Sequence, residues 1–148
     1  MANHLETEIE SYKIITLAGT DPALEPFKNL ILASYMKSLR FGNDWFKDIQ
    51  SECFYKYYGL YIDRLLRISG TIVKLALLSD DLDICLGWSM SQDDILHYIF
   101  VKGDIEARRK GIGKKLLPDK VNTITHLTKI GRTIWKSKLP DVIFNPFI

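Results

Sequence analysis

The spacing of apolar residues changes several times along the chain, and each change marks an element. Tyr12 to Leu17 is a short β-branched run closed by Ala18-Gly19-Thr20-Asp21-Pro22, which predicts a first strand and a turn. From Leu24 to Leu39, Phe27, Leu30, Ile31, Ser34, Tyr35 and Leu39 recur at three and four, the spacing of a helix with one buried face, and Phe41-Gly42-Asn43 ends it. Asn43 caps a second predicted helix, Asp44 to about Arg67. Its stripe is Phe46, Ile49, Cys53, Tyr57, Leu60, Tyr61, Arg64 and Leu65, with further aromatics at Trp45, Phe54, Tyr55 and Tyr58, and Gly59 is a point where it loosens. So aromatic a helix either buries large side chains in a core or lines a cleft with tyrosine hydroxyls.

After Ser69-Gly70 the period falls to that of strands. Thr71 to Leu78, Ile84 to Met90 and Ile95 to about Gly103 read as three strands, joined by Ser79-Asp80-Asp81-Leu82-Asp83 and Ser91-Gln92-Asp93-Asp94. These connections are too short for crossovers, so the three strands form an antiparallel meander. A glycine-rich turn then opens a helix that Pro118 limits or kinks. Asn122 to Leu127 reads as a strand, Lys129 to Lys138 as a helix and Val142 to Phe144 as a last strand. The predicted order is β-α-α-β-β-β-α-β-α-β, without internal repeats.

A chain of 148 residues is expected to form one domain over residues 1–148, and its 47% hydrophobic content fits a soluble globule. Net charge is only +2, which argues against a polycation built for nucleic acid. The basic charge is local, with Arg108, Arg109, Lys110, Lys114, Lys115 and Lys120 set against Asp119 alone. Cys53 and Cys85 lie in apolar surroundings, and His4, His97 and His126 are scattered, so neither a disulfide framework nor a metal site is expected. No stretch reaches the roughly 18 to 20 apolar residues that cross a bilayer, and the N-terminus lacks the pattern of a signal peptide. A cytoplasmic location is expected.

The most informative stretch is Arg108-Arg109-Lys110-Gly111-Ile112-Gly113, between the strand around Ile95 to Val101 and the run Lys114-Lys115-Leu116-Leu117. Amides in the first turn of a helix lack chain partners and carry the positive end of its dipole, and glycines let an anion approach them. The same residues also fit a solvated basic turn. A Walker loop is excluded, because Gly113 is followed by Lys114-Lys115; a dinucleotide fingerprint is excluded for want of a third glycine.

Arg108, Gly111 and Gly113 occupy the fixed positions of the motif Gln/Arg-x-x-Gly-x-Gly/Ala, and Val101 to Leu117 is similar, without a gap, to the run that carries it in the GNAT superfamily of N-acetyltransferases. Gly87-Trp88 resembles the Gly-aromatic pair of that family's third strand. The resemblance implies an α/β (α+β) fold with a mixed, mostly antiparallel central sheet flanked by helices. It implies acetyl-CoA as co-substrate, with the main chain at Val101 and Gly103 meeting pantetheine and the amides of Arg108, Arg109, Lys110, Gly111, Ile112, Gly113 and Lys114 holding the pyrophosphate. The fourth and fifth strands splay apart in this family, giving the thioester a slot where an amine, a small molecule or a protein, attacks directly.

Many members carry a tyrosine acid in the fourth helix, where this chain has Ile134-Trp135. Candidate replacements are His126, at the end of the fifth strand, Tyr98 and His97 on the fourth, and Glu106 or Asp104 beside the turn. Each has a structural alternative: a packed histidine, or an acid paired with the basic turn. The apolar ending Val142 to Ile148 reads as a packed terminal strand or as a docking edge for a second copy. Two rival functions remain: a catalytically inactive GNAT-fold module of a viral particle or regulatory complex, and salt-sensitive nucleic-acid binding through residues 108 to 120.

Overall fold

The computed structural model describes residues 12–42, 45–102, 111–126, 135–136 and 141–147. Their elements are β1 (Tyr12–Ala18), a 3-10 helix (Pro22–Phe27), α1 (Lys28–Gly42), a 3-10 turn (Trp45–Asp48), α2 (Ser51–Arg67), β2 (Thr71–Leu78), β3 (Asp81–Gln92), β4 (Ile95–Val101), α3 (Ile112–Leu116), β5 (Thr123–Ile124) and β6 (Ile143–Phe144). The strands form one six-stranded sheet in the order β1-β2-β3-β4-β5-β6. The first four are antiparallel neighbours, and the pairs β4–β5 and β5–β6 are parallel. The fold is therefore mixed α/β with a mostly antiparallel sheet.

Alternation along β2 places the layers. Val73, Leu75 and Leu77 point to one face, where α1 and α2 bury Leu24, Ile31, Tyr35, Leu39, Phe54, Ile62 and Leu65 against Trp88 and Met90. Ala76 points to the other face, where Ile112 and Leu116 of α3 cover it. Gly87 of β3 lies so close to β4 that a Cβ there would stand 2.7 Å from the Phe100 carbonyl oxygen, which accounts for glycine before Trp88. A third, smaller cluster joins Leu96, Ile124 and Val142 at the parallel end.

Several predicted boundaries move for identifiable reasons. The first helix starts as a 3-10 turn, because Pro26 has no amide for an α-type bond, while the Asp21 carboxylate accepts from the Ala23 amide at 2.9 Å. The second predicted helix divides into the turn at Trp45–Asp48 and α2, with Gln50 extended between them. From Ser51 the helix runs through Gly59 without a break. Asn43 lies outside the described residues.

The stripe expected on α2 is corrected by one position. Tyr57 and Leu60 are 61% and 58% exposed, and Cys53 and Arg64 are exposed too, whereas Phe54, Ile62, Leu65 and Leu66 are buried, with Tyr58 and Tyr61 half-buried beside them. Aromatics on both sides let two rows satisfy the three-and-four spacing, and the aliphatic Ile62, Leu65 and Leu66 decide which one meets the sheet. Helix α3 ends after five residues because Leu117, preceding Pro118, takes an extended conformation. Of the predicted strand Asn122 to Leu127, Thr123–Ile124 form β5 and Leu127 lies outside the described residues, and the predicted helix Lys129 to Lys138 is described only at Trp135 and Lys136, both helical.

Candidate functional site

Where β3 meets β4 the register slips. Met90 faces Tyr98 and Ser91 faces Leu96, so β4 carries one extra residue, His97, against its neighbour. Such a bulge turns a side chain that would have faced the other way. Consecutive His97 and Tyr98 consequently serve one polar network under α1 and α2.

The network starts at Tyr35 of α1, whose hydroxyl lies 3.1 Å from His126 Nδ1. Thr125 Oγ1 lies 2.9 Å from the same nitrogen and 2.9 Å from His97 Nδ1. The Tyr35 ring stacks on Tyr98 at 4.2 Å, and its edge meets His126 at 5.4 Å. Tyr58 and Tyr61 of α2 bring their rings to 6.4 Å and 5.6 Å from His126. Below them the Trp88 indole N–H donates to Ser34 Oγ at 2.8 Å, and the Ser34 hydroxyl donates to the Leu30 carbonyl at 2.6 Å. Tyr35 is fully buried and His97 1% exposed, while His126 is partly exposed. His97 Nε2 is buried without a hydrogen-bond partner.

Burial sets the proton affinities. It pushes Tyr35 well above the ordinary tyrosine range and Tyr58 and Tyr98 up to about 12, with the neighbouring Tyr61 adding to Tyr35 and Tyr58, and Ser38 opposing it at Tyr98. The same cause lowers His97 and takes His126 down to about 4, His97 adding to the effect and a main-chain hydrogen bond with His97 working against it. Both imidazoles are neutral at pH 7, and the tyrosines keep their protons.

Among the described residues, parallel β4 and β5 pair beside this network at Ile95–Thr123 and Leu96–Ile124, followed by a bond from the Thr125 amide to the Leu96 carbonyl. β4 runs on to Val101. Past that end, Gly111 caps α3 in the left-handed conformation, φ 73° and ψ 19°. Nothing lies within 4 Å of where its Cβ would stand, and a Cβ on Gly113 would meet Val101 at 3.7 Å. Ile112 is buried under the sheet, so only its main chain is offered to the turn, and Lys114 is exposed.

Of the residues named from sequence, the structure brings His126, Tyr98 and His97 together, and places Val101, Gly111, Ile112, Gly113 and Lys114 around the end of β4. Gly103, Asp104, Glu106, Arg108, Arg109 and Lys110 lie outside the described residues. Trp135 donates its indole N–H to the Val142 carbonyl at 2.6 Å and packs beside Phe144. Tyr35 and Thr125 were not singled out for chemistry by the sequence reading, and Tyr58 and Tyr61 entered it only as part of the aromatic helix offered as lining a cleft with tyrosine hydroxyls. The signal for them was a histidine–tyrosine pair within a strand facing a threonine–histidine pair at the end of the next.

Two hollows lie elsewhere. One of about 270 Å³, between the first 3-10 helix and the sheet, is lined chiefly by Ile15, Leu17, Phe27, Leu75 and Leu77. Another, of about 500 Å³, is bordered by Lys74, Asp93, Asp94, Asp119 and Lys120. Neither includes the tyrosine–histidine network, and among the described residues no group of three His, Cys, Asp or Glu could hold a metal ion. Among the same residues no helix is long and apolar enough to cross a membrane. Compared with family models, with curated proteins and with solved structures, the chain matches none.

Proposed function

We propose that the chain is an N-acetyltransferase of GNAT type, moving an acetyl group from acetyl-CoA to an amine. The observation that carries this reading is the parallel pairing of β4 and β5, two residues long among the described ones, beside a histidine–tyrosine network, with the glycine-capped start of α3 packed near Val101 at the far end of β4. On this reading an extended pantetheine arm meets main-chain groups at Val101, to which the resemblance adds Gly103. The open position at Gly111 leaves room for phosphate oxygens to approach the amides from Gly111 to Lys114, to which the resemblance adds those of Arg108, Arg109 and Lys110.

In the reaction the amine nitrogen attacks the thioester carbonyl carbon, the carbon–sulfur bond breaks, nitrogen loses a proton and the departing sulfur gains one. His126 is the group of the network best placed to meet these atoms, because it alone joins the tyrosine cluster to the end of β5 and remains partly exposed. Tyr98, stacked under Tyr35 and raised to about 12, supports the wall of the site rather than proton transfer.

A second reading, a GNAT-fold module without catalysis, is favoured by Trp135, which closes onto Val142 where the family carries its acid. Calorimetric titration with acetyl-CoA and CoA tests the main proposal beside two variants. Gly111→Ala meets nothing within 4 Å and costs only the left-handed strain, on the order of 1–2 kcal/mol of stability. Gly111→Glu adds a negative charge at the turn. Micromolar binding that Gly111→Glu loses supports the site; affinity unchanged by Gly111→Glu means the turn does not hold the phosphates. Tight binding without turnover on any amine would favour the module.

A further inference from the structure

Helix α2 carries two rows at helical spacing, and the sheet takes only one of them. The other, Cys53, Tyr57, Leu60 and Arg64, recurs at four, three and four residues, so it runs straight along the outer side of the helix, and all four side chains are exposed. Tyr57 and Leu60, in the middle, are each more than half exposed. Lys56 and Asp63, seven residues apart, share one flank of the row. The Lys56 ammonium lies 5.5 Å from the centre of the Tyr57 ring, and Asp63 pairs with Arg67 at 2.7 Å. Glu52 stands in the first turn of the helix, Arg64 and Arg67 in the last. The row is thus apolar at its centre, with acid beside its start and base at its end.

Such a row is complementary to itself turned end for end. We propose that α2 is the contact of a homodimer in which the helices of two copies lie antiparallel, their twofold axis passing between Tyr58 and Gly59. Tyr57 of each copy then packs on Leu60 of the other. Cys53 faces Arg64, whose aliphatic stem covers it while the guanidinium reaches Glu52. Lys56 and Asp63 meet as opposite charges across the seam, and symmetry makes every one of these contacts twice. Parallel pairing sets Lys56 against Lys56, Asp63 against Asp63 and the two arginine ends together, so charge selects the antiparallel partner. An anionic lipid surface fits less well, because Glu52 and Asp63 stand beside the row. The helix is 17 residues long, roughly 25 Å, and one helix pair of that length buries less than a standard protein interface, so the dimer is weak and reversible. This contact is independent of the acyl-transfer reading.

Sedimentation equilibrium of the whole chain over a concentration series reads the assembly, which should pass from the chain mass of 17.1 kDa to twice that value. Leu60→Glu changes only exposed surface, so the chain should keep its circular dichroism and stay monomeric throughout. Lys56→Glu sets like charges at both flank pairs and should raise the dissociation constant roughly 3- to 10-fold, and adding Asp63→Lys should recover it. Orientation is read by mild oxidation. Cys85 is buried and Cys53 faces Arg64, so the wild type should give no linked dimer, whereas Arg64→Cys should give one that peptide mapping assigns to a bridge between positions 53 and 64. A wild type that stays monomeric at the highest concentration overturns the proposal; if that monomer sediments with anionic lipid vesicles and Leu60→Glu does not, the row serves a lipid surface instead. A dimer that survives Leu60→Glu and is lost in Phe144→Glu places the contact at β6. A Cys53–Cys53 bridge in the wild type, or no recovery on adding Asp63→Lys, overturns the antiparallel pairing.

Discussion

The chain from β1 to β4 and the chain after it are held together differently. In the first part long antiparallel pairs, seven matched residues between β1 and β2 alone, lie under two helices and bury Trp88, Tyr35 and Phe54. In the second part, among the described residues, β5 and β6 pair over two residues each, and the apolar contacts are Ile112 and Leu116 of α3 under the sheet and the cluster of Leu96, Ile124 and Val142. The first part has the material for stability, and the second places a histidine against its edge. A site at such a seam takes one wall from long antiparallel pairs and the other from short parallel ones.

Trp88→Ala attacks the strong part and should have the largest effect. It removes a fully buried indole and its bond to Ser34, and a loss of about 3–5 kcal/mol is expected in urea unfolding. A loss below about 1 kcal/mol would mean that the sheet is not supported there.

Acid attacks the seam. His126 titrates near 4 when folded against 6.5 when free, so between those values the unfolded chain binds more protons, and stability falls as the pH drops from about 6.5 to 4. The loss should be on the order of 2–3 kcal/mol, with His97 shifted in the same direction. His126→Gln should flatten most of it, as read from urea midpoints at pH 7 and 4. An unflattened profile would place the acid sensitivity elsewhere.

Phe147→Ser should have the smallest effect, because its side chain is 93% exposed past β6. A change within about 0.5 kcal/mol is expected. A larger change would show that the second part is bound more tightly than its short strands indicate.

How far the sequence foretold this arrangement also differs between the two parts. The limits of β2 and the antiparallel meander were legible, because a period of two and short polar turns leave little choice. The buried row of α2 was not, since Tyr57 and Phe54 both begin acceptable stripes and only packing on the sheet separates them. His126 and Tyr98 could be named, but not their relation. That depends on the extra residue His97 in β4 and on Tyr35, far away in sequence, which any periodicity argument assigns to the core. Gly111 stood out through the glycine-rich basic motif, and the left-handed conformation that the structure gives it is one glycine takes without a Cβ penalty.

The mixed sheet also implies an order of assembly. β2, β3 and β4 are hairpin neighbours whose contacts close short loops, whereas Ile95 must find Thr123, and Thr123 must find Ile143, across long stretches of chain. Local pairings of this kind form early, and distant parallel ones carry a larger loop-closure cost and come late. Thr125 and His126 are therefore expected to reach Tyr35 and His97 after the β2–β3–β4 meander has formed, not with it.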